Sequence, residues 1–166
     1  MPANKSKSGR SKQFYVSKKE KKSSNLKLLC RYCHTVYDGK GWIAFEKMDP
    51  LMIDQLHASV CPACHETMQH ISDGLLHISG AGVKSILPEI RNMITRMGKQ
   101  AEAKNVLDRV ERIDAERDGI VVYTTLNQLA VRIGKNVASA HKGGKLDIRW
   151  SKGDKPVEVY WTKNNK

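Results

Sequence analysis

The chain has 166 residues, of which 40% are hydrophobic and 6% aromatic, and a formal net charge of +12. That length fits one or two small domains with a modest core. No apolar run approaches the roughly 18 residues of a membrane-crossing helix, and no apolar segment follows the charged N-terminus as a secretion signal requires. The expectation is a cytoplasmic protein with no membrane partner, in a compartment that keeps thiols reduced.

The charge is concentrated at the start. Residues 1–27 carry nine basic side chains (Lys5, Lys7, Arg10, Lys12, Lys18, Lys19, Lys21, Lys22 and Lys27) against one acid, Glu20. This +8 leaves +4 for the other 139 residues. Such a tail repels itself, is expected to be disordered when alone, and pairs with polyanions. Its one aromatic interruption, Phe14-Tyr15, suits either stacking on a base or docking on the protein's own body.

Residues 28–80 hold all four cysteines, in "CRYCH" (Cys30–His34) and "CPACH" (Cys61–His65). Each is a C-x-x-C-H, the attachment pattern of a c-type haem, and the second has the form of a redox-active thiol pair. Covalent haem belongs to exported proteins, and no pattern singles out axial ligands among Met48, Met52, His57 and His70. Redox chemistry needs one low-pKa thiol pair and leaves the other pair unexplained. A zinc ion uses both pairs: each knuckle offers two sulfurs, and two knuckles complete a tetrahedral thiolate shell. The 27 residues between Cys33 and Cys61 exceed the usual spacing of about 15–20, as an insertion within a zinc ribbon would. Cys30, Cys33, Cys61 and Cys64 are therefore the expected zinc ligands, with His65 the substitute should one cysteine not coordinate. Four thiolates leave no open position for water, which speaks for a structural site. Within the module, Thr35–Lys47 reads as a hairpin around Asp38-Gly39, residues 51–58 as a short helix and Gly74–Gly80 as a strand.

Residues 81–117 read as a helical connector. Ser85 is the expected N-cap, with Pro88 in the first turn and Ile86, Ile90, Ile94 and Met97 on one face. Ala103, Val106, Leu107, Val110 and Ile113 continue at helical spacing. The charges between them, Glu102, Lys104, Asp108, Arg109, Glu111 and Arg112, read as a solvated face or a binding surface.

Residues 118–166 read as a three-stranded β-α-β-β unit. Gly119–Thr124 is a strand, and Thr124 or Thr125 caps a helix that buries Leu126, Leu129, Ala130, Ile133 and Val137. The helix is stopped by Gly143-Gly144. Two alternating strands follow, "KLDIRWS" and "VEVYW", joined by a turn at Gly153-Asp154. Arg132 and Lys135, with His141 and Lys142, lie on or near the helix's polar side. The expected fold class is α+β: a zinc ribbon-like module, connecting helices, and this unit.

The order of "CRYC", "CPAC", "GLLHISG" (Gly74–Gly80), "LDRVERI" (Leu107–Ile113) and "VYTTLNQLAVRIGKNVASAHKGGKLDIRW" (Val122–Trp150), ending in "VYW", resembles a family of small bacterial zinc proteins. These in turn resemble the archaeal and eukaryotic Nmd-type export adaptor for large ribosomal subunits, which carries more cysteine pairs than the two here. The resemblance implies association with the ribosome or ribosomal RNA rather than a reaction.

The residues allow three classes of function. A ribosome- or RNA-binding factor would use the basic tail for phosphate affinity, Arg31 and Tyr32 on the first knuckle, and the Arg132/Lys135 face. A DNA-binding regulator shares the charge and the zinc, but helix-turn-helix spacing, two-Cys-two-His fingers and dimerising heptads are missing from the sequence. An enzyme would need a nucleophile–base signature, a G-x-G-x-x-G or a Walker motif, and none is present. The expectation is a non-enzymatic, zinc-binding, ribosome-associated factor without a small-molecule substrate, with a DNA regulator or a protein-interaction module as the alternative.

Overall fold

Residues 26–151 and 156–164 are described by the computed structural model. The tail through residue 25 and the turn expected at Gly153-Asp154 lie outside them. The fold is mixed α+β, built on two sheets.

The N-terminal sheet begins with Lys27–Cys30 (β1). Lys27, counted with the tail by composition, opens this strand, and its ammonium donates to the Asp38 carbonyl. Val36–Tyr37 (β2) and Trp42–Ile43 (β3) form the expected hairpin. Its turn is fixed locally: Asp38 Oδ1 accepts from the N–H groups of Lys40 (2.7 Å) and Gly41 (2.8 Å), and Gly39 takes φ 95°. The chain then runs through 3-10 turns at Phe45–Lys47 and Pro50–Gln55. The helix expected over 51–58 is only half formed, because Leu56–Ser59 (β4) is extended and pairs in parallel with β1. The order is β3-β2-β1-β4, and Pro62–Met68 (α1) follows.

The second sheet corrects two expectations. Gly74–Gly80 (β5), placed by composition beside the cysteines, is the central strand of the C-terminal sheet. It pairs antiparallel with Gly119–Thr124 (β7) and parallel with Val157–Lys163 (β9). The supposed three-stranded unit is thus part of a five-stranded sheet of order β6-β7-β5-β9-β8, where β6 is Val110–Glu116 and β8 is Gly144–Arg149. The segment expected as a second connecting helix is divided instead: Ala103 belongs to the end of the first helix, residues 105–109 turn, and Val110 and Ile113 lie in the strand β6. A single helix, Val83–Lys104 (α2), passes through Gly98, where an added Cβ would lie 3.0 Å from Val110 Cγ2. The helix starts at Gly82 rather than Ser85, whose hydroxyl donates back to the Gly82 carbonyl. It ends where Asn105 turns the chain: the Asn105 carbonyl accepts from Asp108 N–H and its side chain from Leu107 N–H.

Asn127–Ala140 (α3) packs with α2 on one face of this sheet. The threonines expected to cap α3 do other work. Thr124 Oγ1 donates to the Leu126 carbonyl and Thr125 Oγ1 to the Leu107 carbonyl. The opposite face carries His77 stacked on Tyr160, Arg149 against Tyr160, and Arg112 against Tyr123.

The two cores differ in size, and this decides what each needs. Among the described residues, seventeen buried side chains from α2, α3 and the large sheet share one core, which includes fully buried Leu76, Ile78 and Trp161. The cysteine module's cluster has five, Leu28, Cys30, Trp42, Cys61 and Ala63, with Val36 buried beside it in β2. At about 1.5–3 kcal/mol per large buried side chain, the second set is too small to order a loop-rich module unaided.

Candidate metal centre

The parallel pairing of β1 with β4 creates the site. Cys30 lies opposite Ser59, so Cys30 and, two residues further, Cys61 leave neighbouring strands at the same end. Each then turns back towards the other. After Cys30 the chain reverses with His34 N–H donating to the Cys30 carbonyl at 2.9 Å, and His34 adopts φ 60°. After Cys61 it enters α1, with Pro62 in the first turn and Cys64 N–H donating to Cys61 Sγ at 3.4 Å. Cys61 N–H in turn donates to Cys30 Sγ at 3.3 Å.

All four sulfurs lie within 4.8 Å of one another, and the Cys33–Cys61 separation is 3.5 Å. A tetrahedral ion with metal–sulfur bonds of about 2.3 Å requires sulfurs roughly 3.8 Å apart. The donor set and spacing therefore fit one metal ion. The group is made of the four cysteines alone, so His65 is not called upon. The two pairs converge on one point rather than forming two separate attachment sites. No disulfide links the described cysteines.

The thiols titrate unevenly. Cys33 falls to about 3, chiefly through a hydrogen bond from the Cys61 thiol; burial opposes this, while Thr35 and Arg109 add to it. Cys61 is pushed up by the same bond and by burial. Cys64 is pushed up to about 12 by burial and by Cys33. Four thiolates this close repel one another, and only a bound cation makes it favourable to ionise them together. Cys61 stands at the N-terminus of α1, where its hydrogen bond to Cys33 and its burial push its thiol up.

Arg109, in the turn that leads into β6, completes the site. Its Nη2 donates to Cys33 Sγ at 3.4 Å and its Nη1 approaches Cys64 Sγ at 3.9 Å. Its Nε lies 3.2 Å from Glu102 and donates to the Val106 carbonyl. Burial disfavours its charge, but Cys33, Cys61 and Glu102 more than offset that. The backbone of Arg109 is held by Thr125: Arg109 N–H donates to Thr125 Oγ1 at 2.8 Å, and Thr125 N–H donates to the Arg109 carbonyl at 3.0 Å. A tetrathiolate around a dication carries a net charge of about −2, and a half-buried guanidinium beside it offsets part of that. Val106 and Leu107 pack against the small core from the same segment. Helical spacing groups Arg109 with charges that read as a solvated face or a binding surface; no local signal distinguishes it from its charged neighbours.

The expected nucleic-acid contacts fall into three groups. Arg31 and Tyr32 stand exposed on the first knuckle, Tyr32 at 53%. Arg132 and Lys135 are exposed on α3, where Arg132 is paired with Asp108 at 3.3 Å. Lys5, Lys7, Arg10, Lys12, Phe14, Tyr15, Lys18, Lys19, Lys21 and Lys22 lie outside the described residues. No helix of the described residues is long and apolar enough to cross a membrane. No family model, curated protein or solved structure matches this chain.

Proposed function

We propose that the chain is a zinc-binding factor of the ribosome or ribosomal RNA, without catalytic activity, working in the cytoplasm. The observation that carries the reading is a closed four-cysteine centre presenting Arg31 and Tyr32, in a chain with a +8 segment at its start. The resemblance to the small bacterial zinc proteins and the Nmd-type adaptor points the same way.

Zinc suits the centre on two grounds: it takes four thiolates in a closed tetrahedral shell, and the sulfurs are too close together to surround an iron–sulfur cluster. The ion would lock two knuckles of a zinc ribbon-like module whose own core is small. Arg31 would then meet a phosphate and Tyr32 a base, while the basic segment neutralises phosphates irrespective of sequence. Sucrose-gradient sedimentation of the tagged protein tests this: it should travel with one ribosomal subunit and leave it as salt is raised. Sedimentation only at the top of the gradient, at low salt and in every growth phase, would overturn the reading.

A second reading, a protein-interaction module, is favoured by one feature. Leu51 (84% exposed), Ile53 (44%) and Phe45 (40%) place apolar side chains on the surface of the cysteine module. Co-sedimentation that resists both high salt and nuclease would favour it.

A further inference from the structure

We propose that the cleft between α2 and α3 binds the phosphodiester backbone of RNA. The inference rests on the ribosomal-RNA reading and extends the expected Arg132/Lys135 face into a cleft whose other wall, on α2, the sequence reading did not assign.

Two rows of donors face one cleft of about 320 Å³. Arg96, Gln100 and Lys104 follow one another at four-residue steps on α2, about 6 Å apart along the axis, so the row runs roughly 12 Å. Arg132 and Asn136 stand one turn apart on α3 and line the other side. Met97 and Ala101 make a buried floor. Among the described residues no carboxylate lines the cleft, and α3 contains no acidic residue from Asn127 to Ala140. Lys135 adds a further exposed charge on the same helix.

Asp108, beside the cleft, orients the site rather than closing it. Its side chain, 11% exposed, accepts from Arg132 Nη2 at 3.3 Å. The Arg132 side chain remains 48% exposed, and a guanidinium has five N–H donors, so most of its fork is free to face a ligand. Asp108 thus aims the fork as a carboxylate partner aims a phosphate-binding arginine.

The chemistry favours a nucleic-acid backbone. The cleft offers guanidinium, ammonium and amide donors spread over several turns, the set that positions phosphate oxygens. A single phosphate would use only a fraction of a row this long. A protein partner needs an apolar anchor, and here the apolar groups are the buried floor.

The test uses the full-length, metal-loaded chain with three probes: a 20-nucleotide single-stranded RNA, an oligoglutamate peptide and inorganic phosphate. Arg96→Gln with Lys104→Gln replaces two exposed side chains and leaves the Arg132–Asp108 pair intact. We expect the double variant to bind the RNA more weakly. Its plot of log K against log salt should be shallower by about 1.4, for two lost contacts at roughly 0.7 each. In the unaltered chain, the side-chain amide resonances of Gln100 and Asn136 should shift on adding RNA and not on adding phosphate at the same charge concentration. If the chain binds RNA and the variant keeps the same affinity and slope, the cleft proposal fails while the ribosome reading stands. If neither RNA nor ribosomes are bound, that reading fails and takes the cleft's RNA with it. Amide shifts with oligoglutamate alone would overturn the RNA assignment in favour of an acidic protein segment.

Discussion

Replacing Arg109 by alanine should weaken metal binding without touching a ligand. The side chain supplies two contacts to sulfurs, at 3.4 Å to Cys33 and 3.9 Å to Cys64, and the positive charge beside a tetrathiolate. Its removal also leaves Glu102, now 3.2 Å from the guanidinium, without that partner beside the sulfurs. Losing such a supporting group typically lowers metal affinity 10- to 100-fold, about 1.4–2.7 kcal/mol. Arg109→Lys keeps the charge but not the two-pronged reach, so its loss should fall between wild type and alanine. Competition against a chromophoric chelator at fixed pH measures this directly. The pH at which half the protein is loaded should rise in the alanine variant, because a nearby cation favours thiolates and its loss lets protons compete to higher pH. An alanine variant whose affinity and pH midpoint stay within twofold and a tenth of a unit of wild type, roughly the resolution of a tenfold-per-1.4 kcal/mol scale, would refute the role assigned to Arg109.

Other perturbations separate the two halves of the molecule. Chelation, or Cys61→Ser, should strip hydrogen-exchange protection from β1, β4 and α1 while β5, β7 and β9 keep most of theirs, since the large core is complete without the cysteines. Equal loss in both sheets would show that they fold as one unit through Arg109. Gly119→Ala should be severe, because the new Cβ would sit 1.8 Å from the Ile78 carbonyl oxygen, a backbone atom that cannot yield; at least the about 1–3 kcal/mol of core overpacking is expected in thermal melts. Glu111 accepts from the Ser72 and Thr67 hydroxyls, but burial raises its pKa above the ordinary carboxylate value. Its contribution is therefore full at low pH and lost as pH rises from the unfolded pKa through the folded one, so Glu111→Gln should flatten stability across that window in chemical denaturation. Deleting residues 1–25 removes eight of the nine basic side chains of the first 27. It should make the salt dependence of RNA binding shallower by about 4–5 if some six of them reach phosphates, and an unchanged slope would dismiss the tail as anchor.

Ligand chemistry and strand alternation are local rules, and these were legible. Two C-x-x-C knuckles identify a four-sulfur site because each turn needs only its own few residues to aim two sulfurs. The periodicities of α3, β8 and β9 likewise follow from which residues face one core. The segment from Ala103 to Ile113 shows how that rule fails. Its apolar residues keep helical spacing, but they serve two cores: Val106 and Leu107 pack against the cysteine module, Val110 and Ile113 against the large sheet. A pattern assembled from two partners mimics a helix that the Asn105 turn has already ended. The place of β5 was hidden for a related reason. Its parallel pairing joins Gly74 to Val157 and Gly80 to Lys163, some eighty residues away, and no window of sequence contains both strands. Arg109 is the sharpest case. It is one charge among several along its segment, and only the docking of β6 beside the cysteine turns brings its guanidinium to the sulfurs. Tertiary contact decides which charges are solvated and which hold a site together, because burial and partner geometry are properties of the assembled chain.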